Sequence, residues 1–462
     1  MEGMWLNDAE WTKLHFGGAN LGDARSAQRL VQVAENLAAN PSGSLNHAIA
    51  GWNELLAAYR LFAREETTFE AVTSPHQELT RAACRNGGDY LLLEDTTSLD
   101  FTTHEDTIGL GRIGDNGGRG LYLHSNIALR IEHWTEAVPQ CSVVGLFHQK
   151  CWARTMRSIG HGKEKKRKRL RRSRESERWA EIYELIDAPP PGIRWTHVGD
   201  RETDIAEVFK RCEAKGLDWI LRTCQARALA DEPGSIFSAV AQARKQGTFE
   251  LPLRARPKQA ARLARLTVRA TEVRLRAPWR PTPLSEISTN VVEVVEEHPP
   301  TGVEPLHWVL STSWPVETYE KSLRVVRAYA CRPIIEEFHR ALKSGVTNIE
   351  DSQMKNGEAL RALTGVLSPI ALRLISIKAA AEATPKAKLP EGEFPSIGLK
   401  ILEKKYGMPK EWTHLTLIVC IARLGGFLAR TGDGLPGWNT IWRGWYTLNM
   451  MVEGVEILEG GG

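Results

Sequence analysis

Two short apolar runs, Tyr90-Leu91-Leu92-Leu93 and Trp195-Thr196-His197-Val198, each lead within two residues to an aspartate, Asp95 and Asp200. Runs of that length suit buried strands, which a chain can keep only by building a sheet and covering it. Leu121 to Ile131, Val143 to Phe147 and Trp219-Ile220-Leu221 read as further strands, and the helix-like stretch Thr203 to Lys215 lies between Val198 and Trp219. Strands followed by strand, helix, strand predict a mixed α/β sheet.

The flanks differ in character. Ala27, Leu30, Val31, Val33, Ala34, Leu37 and Ala38 recur at helical spacing, Glu54 to Phe62 forms a second apolar-faced run, and Asn40-Pro41-Ser42-Gly43 separates the two. Alternation dominates in Leu266 to Leu275 and Asn290 to Val295, with prolines at 278, 281, 283, 299 and 300 as punctuation. Residues 317 to 345, and Leu360 onward apart from a loop around 385 to 396, read as helical. The predicted organisation is therefore a helical segment over 1–85, a sheet-building core over 86–221 and 306–375, a β-rich insertion over 222–305, and a helical segment over 376–462.

With 462 residues, 42% hydrophobic and 25% charged, the chain has the make-up of an ordinary globular protein, which excludes wholesale disorder and a collagen-like repeat. The apolar stretch Leu415 to Ala422 is too short to cross a bilayer, and MEGMWLNDAEW lacks the basic flank and apolar run of a signal peptide. A cytoplasmic location is expected. Seven scattered cysteines without a C-x-x-C pair predict neither disulfides nor a zinc knuckle, and are expected to be buried small apolar residues.

Carboxylates at the ends of neighbouring strands can converge on one crevice and hold a hard cation such as Mg²⁺. Taken singly, either aspartate reads equally as a turn or helix-cap residue. A sharper pattern is Tyr329, Arg332, Glu336 and Lys343, separated by 3, 4 and 7 residues and so on one side of a single helix. Glu336 could then ligate an ion, Arg332 fork onto phosphate oxygens and Lys343 supply a point charge; the plainer reading is a solvated amphipathic face. Pro333 qualifies the pattern, because proline is tolerated only in a first turn and so predicts a helix beginning there. The Glu336/His339 spacing of a di-iron helix recurs at Glu304/His307 and Glu411/His414, but a four-helix iron core leaves the β-rich middle without a role.

These residues resemble the hairpin-forming, cut-and-paste DDE transposases of the insertion-sequence-four group, whose core is ribonuclease-H-like. LEDTTSLDF (93–101) resembles that family's first-aspartate strand, VGDRETDI (198–205) its second-aspartate motif, and YACRPIIEEFHRALKSG its Y-x2-R-x3-E-x6-K signature. LGDARSAQRL (21–30), AYRLF (58–62), RESERW (174–179), PLHWVLSTSWPVE (305–317) and IARLGGFLARTGDG (421–434) extend the likeness over nearly the whole chain. Asp95 precedes Asp200 by 105 residues and Asp200 precedes Glu336 by 136, and the β insertion carried by that family accounts for the second gap.

The resemblance implies catalysis by Asp95, Asp200 and Glu336 on two Mg²⁺ ions, with Mn²⁺ able to substitute. It implies phosphate and hairpin binding by Tyr329, Arg332 and Lys343, and base stacking by Trp308. It further implies double-stranded DNA as partner, end contacts from Arg29 and Arg60, and a homodimer joined through C-terminal helices, where Trp438, Trp442 and Trp445 form either a dimer contact or ordinary core packing.

Two basic stretches read as phosphate-backbone contacts. Residues 163–174 hold nine basic residues, Lys165, Arg167 and Arg169 among them, against Glu164 alone; a solvated loop is the alternative. Residues 254–280 hold nine more, with Glu272 the only acid, and put Arg274 and Arg276 on one strand face with Val273 and Leu275 on the other. Net charge is only +4, so placement decides more than the total. Two rivals remain from the sequence: a catalytically inert DNA-binding inhibitor, and a nuclease of the same fold that hydrolyses without joining strands.

Overall fold

The computed structural model describes residues 1–460 apart from 42, 115–116, 137, 155–181, 254–260, 278–284, 346, 390 and 393. The basic run 163–174, with Lys165, Arg167 and Arg169, lies outside the described residues, as do Arg254, Arg256, Lys258 and Arg280.

Five helices open the chain: α1 (Asp8–Phe16), α2 (Ala24–Ala39), α3 (Leu45–Ala48), α4 (Trp52–Phe62) and α5 (Phe69–Ala83). Side-chain caps fix several of their starts: Asn7 accepts from the Glu10 amide, Asp23 from Ser26 and Thr68 from Ala71, each satisfying an amide that the first turn leaves unpaired.

The sheet begins with β1 (Asp89–Asp100), β2 (Gly111–Ile113), β3 (Gly118–His133) and β4 (Gln140–Trp152). β1 is antiparallel to β3, and β3 to β4. On its other edge β1 runs parallel to β5 (Arg194–Gly199), which reaches the parallel β6 (Asp218–Arg222) through α6 (Ala206–Lys215). Three antiparallel strands followed by two parallel ones make a mixed α/β arrangement consistent with a ribonuclease-H-like core.

The insertion extends this sheet. After α7 (Ile236–Gln242), β7 (Lys245–Leu253), β8 (Arg262–Leu275) and β9 (Ile287–Glu296) pair in succession, and β10 (His307–Thr312) joins β9 to β6. Among the described residues ten strands thus share one sheet. Alternation along β1 feeds two apolar layers, with Leu91 and Leu93 on one face and Tyr90 and Leu92 on the other.

Beyond β10 come α8 (Tyr319–Tyr329), α9 (Pro333–Arg340), α10 (Gly357–Ala383), α11 (Ser396–Tyr406), α12 (His414–Leu424) and α13 (Trp438–Gly460). The longest apolar stretch is not Leu415 to Ala422 but lies in α10. This helix is long and apolar enough to cross a membrane, but 94% of its most apolar window is buried inside the fold, where it packs on α5 and β4 as a core helix. The cysteine expectation is corrected too: Cys84, Cys151, Cys212 and Cys331 are buried, Cys141 and Cys420 are half-buried, and Cys224 is exposed.

Arg373 on α10 ties the chain ends together. Its guanidinium donates to Asp8 Oδ1 at 2.6 Å and to the carbonyls of Met4 and Leu6, and it lies over the rings of Trp11 and Trp445. Asp8 Oδ2 in turn accepts from Asn449 on α13 at 3.2 Å. A second buried link joins α1, α5 and β4. His15 Nε2 donates to the Glu2 carbonyl at 3.1 Å, so its Nδ1 accepts from His76 Nδ1 at 2.9 Å, leaving His76 Nε2 to accept the Leu146 amide at 3.0 Å. Each imidazole must be neutral for that chain to close.

Both links bear on stability. Asp8→Ala leaves the buried Arg373 charge without its carboxylate and should cost about 3 kcal/mol, read as a lowered urea midpoint; a change below about 0.5 kcal/mol would show that the two carbonyls suffice. Burial pulls His15 and His148 down to about 4 and His124 to about 3. Unfolded histidines titrate near 6.5, so between that pH and about 4 the unfolded chain binds more protons; stability is whole above about pH 6.5 and declines below it. Each such histidine adds a slope approaching ~1.4 kcal/mol per pH unit, and denaturation series at about pH 7.5 and about pH 5 measure it.

Candidate active site

Asp95 does not end its strand, as the sequence suggested. β1 continues to Asp100, and what stops is its parallel neighbour, because pairing with β5 ends at Leu93 opposite Val198. Asp95 therefore lies just beyond the parallel pairing, next to the segment where β5 gives way to Asp200.

Asp200 is a cap residue that also faces a cation of the chain itself. Its Oδ1 accepts from the Glu202 amide at 2.8 Å, capping a short 3₁₀ turn over Arg201–Thr203, while Oδ2 lies 3.3 Å from Arg332 Nη2. That same Nη2 lies 3.3 Å from Asp95 Oδ1, which also accepts from the Thr96 amide at 2.9 Å. Arg332 Nη1 pairs with Glu336 one turn along α9. Carboxylates from three distant parts of the chain thus meet on one guanidinium whose side chain is 10% exposed.

Pro333 sets up this arrangement. α8 ends at Tyr329, Pro333 occupies the first turn of α9, and Arg332 caps that helix through backbone geometry alone, so its guanidinium is available to the carboxylates. The chain break also means that Tyr329, Arg332, Glu336 and Lys343 do not share one helix. Lys343 sits in a π-helical turn, Ala341–Gly345, and pairs with Glu350 at 3.3 Å, away from the trio. Gly345 is required there, since a Cβ would strike the ring of Trp438.

Burial raises the Asp200 carboxyl above its ordinary value and nearby Asp95 adds to this, while the Glu202 amide and Arg332 oppose it. Burial works against the Arg332 charge, but Asp95, Asp200, Tyr329 and Glu336 outweigh it and hold the guanidinium above its ordinary value. Against three carboxylates, one guanidinium leaves the contact set short of positive charge. Among the described residues no three His, Cys, Asp or Glu side chains are already gathered to hold an ion. Here the guanidinium occupies the space between them.

A cleft of about 1210 Å³ opens beside Arg332 and Glu336, lined also by Trp308, Tyr329, Arg201, Arg222, Arg340 and Lys378. Trp308, half-buried on β10, meets the Tyr329 ring edge-to-face at 5.2 Å. Sequence reasoning missed Arg222, whose place at the end of β6 carries no local signal. It also missed Glu94, which faces the opposite side of β1 from Asp95 and is fully buried, accepting from the Tyr183 hydroxyl and lying 3.5 Å from His197 Nδ1.

Of the charges assigned to DNA, Arg29 is half-buried on α2 and Arg60 exposed on α4. Arg274 and Arg276 are exposed while Val273 and Leu275 are buried, as alternation predicts. The insertion is not an uncompensated cationic face, however. Arg274 pairs with Asp231 and Glu286, Arg269 with Glu293 and Glu297, and Arg262 with Glu296, all acids outside the local stretch. Of the C-terminal tryptophans, Trp445 is buried against Phe394, while Trp438 and Trp442 are half-buried.

Two family models match the chain. One described as Transposase DNA-binding covers residues 8–67, the α1 to α4 segment, and one described as Transposase Tn5 dimerisation domain covers 395–459, the α11 to α13 segment. Together they support a DNA transposase with a DNA-binding segment near one end and a dimerisation segment near the other.

Removing the guanidinium tests the electrostatics. Arg332→Gln should destabilise the fold by about 3 kcal/mol near pH 7, since three carboxylates lose their shared counter-charge. The Asp200 carboxyl, which burial already raises, then loses the Arg332 charge that opposes the rise, so the penalty operates where the carboxylates are ionised and fades as the pH falls. Urea midpoints at about pH 7 and about pH 4.5 should converge with those of the parent; an equal gap at both would contradict this account.

Proposed function

We propose that the chain is a metal-dependent DDE transposase of the hairpin-forming, insertion-sequence-four kind. The observation that carries this reading is the convergence of Asp95, Asp200 and Glu336 on one cation, in a chain whose ends match transposase DNA-binding and dimerisation models.

The donor set fits the group it would hold. All three side chains offer carboxylate oxygens, the ligands of hard divalent cations, and they stand around a positive charge they outnumber. Asp95, Asp200 and Glu336 would hold two Mg²⁺ ions, or Mn²⁺ in their place. When bound, such ions lower the pKa of an attacking water or 3′-hydroxyl and neutralise the leaving oxygen.

The chain's own residues supply the rest. Arg332 forks onto non-bridging phosphate oxygens, a planar recognition that lysine cannot reproduce, and Arg222 and Arg201 line the path along which the backbone would run. Lys343, once released from Glu350, adds a point charge. Trp308 offers an indole face to a base pushed out of the stack, with the Tyr329 ring bracing it from the edge. Each end would be nicked, closed into a hairpin by the freed 3′-hydroxyl, reopened by water and joined to target DNA, with two copies pairing two ends through α11 to α13. No covalent protein intermediate is required.

The test incubates purified protein with DNA carrying the element's own ends plus Mg²⁺ and resolves products on a denaturing gel. Hairpins support the reading, simple nicks select the hydrolytic nuclease, and a mobility shift without cutting selects the inert inhibitor. In the same assay Trp308→Ala should leave first-strand nicking within about twofold and lower hairpin yield about tenfold, since base-aromatic stacking is worth ~1–3 kcal/mol. Equal loss of both steps would remove Trp308 from this role.

A further inference from the structure

One side chain beside the trio has no part in the chemistry above. His339 stands three residues after Glu336 on α9, a helix that packs on β1, and is buried where Glu336 is exposed. Its ring is 7% exposed, and Nδ1 lies 3.5 Å from Asp95 Oδ2. Asp95 Oδ1 is thus held by the Thr96 amide and Arg332, while Oδ2 has the His339 ring nitrogen 3.5 Å away, close but without a formed hydrogen bond. The other ring nitrogen, Nε2, is buried and has no hydrogen-bond partner among the described residues. Leaving it so costs free energy, so the ring's placement is not accounted for by satisfying its own polar atoms.

The two restraints on Asp95 differ in kind. Arg332 is a cation shared among three carboxylates; a divalent ion would compete with it for them, and a phosphate would compete with them for it. His339 is fixed by the buried flank of a helix and approaches the oxygen that Arg332 does not touch. An imidazole whose N–H meets a carboxylate from outside the ion position is the arrangement by which proteins orient a ligand oxygen, and such contacts are often long before the site is loaded.

We propose that His339 is the positioning residue of Asp95. Its imidazole donates Nδ1–H to Oδ2 and keeps the carboxylate turned toward Asp200 and Glu336 when Arg332 is displaced. The inference rests on the proposed reading of the trio as a divalent-cation site.

The full chain is titrated with Mn²⁺ and the free aqueous ion is read by electron paramagnetic resonance, with a thermal melt in the absence of metal as the control. His339→Ala should weaken Mn²⁺ binding about tenfold while its metal-free melt still shows a cooperative folded state, because loss of such an outer contact typically costs ~10–100-fold in affinity. His339→Asn places its amide near the Nδ1 position and should recover binding to within about threefold, whereas His339→Gln reaches the Nε2 position and should not. If the alanine variant does not fold, the asparagine and glutamine pair decides: equal affinities overturn the proposal. Asp95→Asn separates the two levels of the claim. Should it bind Mn²⁺ like the parent, the cation-site reading itself fails. Should it lose binding while His339→Ala keeps it, the cation site stands and the role given to His339 is wrong.

Discussion

A single guanidinium holding three carboxylates is the constraint on which the architecture turns. Carboxylates gathered in a half-buried space repel one another and lose hydration, and burial alone already raises the Asp200 carboxyl. The fold meets this by supplying Arg332 from a connection between helices, where a proline ends one conformation and starts the next. Had α8 and α9 been one uninterrupted helix, Arg332 and Glu336 would still be neighbours. The two aspartates approach from the sheet, however, and the guanidinium reaches them from the turn before Pro333.

The sheet provides the other half of the geometry. β1 and β5 lie side by side and parallel, so the positions just past their shared pairing, Asp95 and Asp200, fall next to each other although 105 residues separate them. Continuing the sheet through β6 to β10 places Trp308 in the lining of the cleft beside Arg332 and Glu336. The segments matched by the two transposase models are tied into this frame through α10, because Asp8 of α1 accepts from both Arg373 on α10 and Asn449 on α13. A chain that recognises DNA at one end and pairs with a second copy near the other needs such rigid ties if both events are to bear on one site.

Much of this was legible from local patterns. The strand runs, the helical flanks, the proline-defined start of α9 and the aspartates beside buried strands are all properties of a few neighbouring residues. What the sequence concealed depends on register. Nothing in LEDTT says that Glu94 is buried against Tyr183 and His197 while Asp95 faces a guanidinium, because strand alternation separates the two without stating which face is which. The basic stretch around Arg262 to Arg276 looked uncompensated because its acids, Asp231, Glu286, Glu293, Glu296 and Glu297, lie elsewhere in the chain. His339 was weighed only as an iron ligand with Glu336, and its nearness to Asp95 is a tertiary fact. The role of α10 as the central core helix was missed for a related reason: a helix apolar on nearly every face leaves no amphipathic stripe to read.

On the proposed reading, the same guanidinium cannot serve metal site and DNA at once. In the free protein Arg332 partly offsets the trio's charge, and while it does so its fork is engaged with the carboxylates and it fills the space between them. With a divalent ion held by Asp95, Asp200 and Glu336, those carboxylates would no longer need Arg332, which would then be available to DNA phosphate. A phosphate that draws Arg332 away leaves carboxylates whose uncompensated charge favours the ion. Each ligand therefore strengthens the binding of the other, and linkage requires that the strengthening be equal in both directions. Metal chemistry would then be confined to the complex in which DNA is seated. The ion pairs of the resting site would hold the carboxylates folded and ready in the meantime.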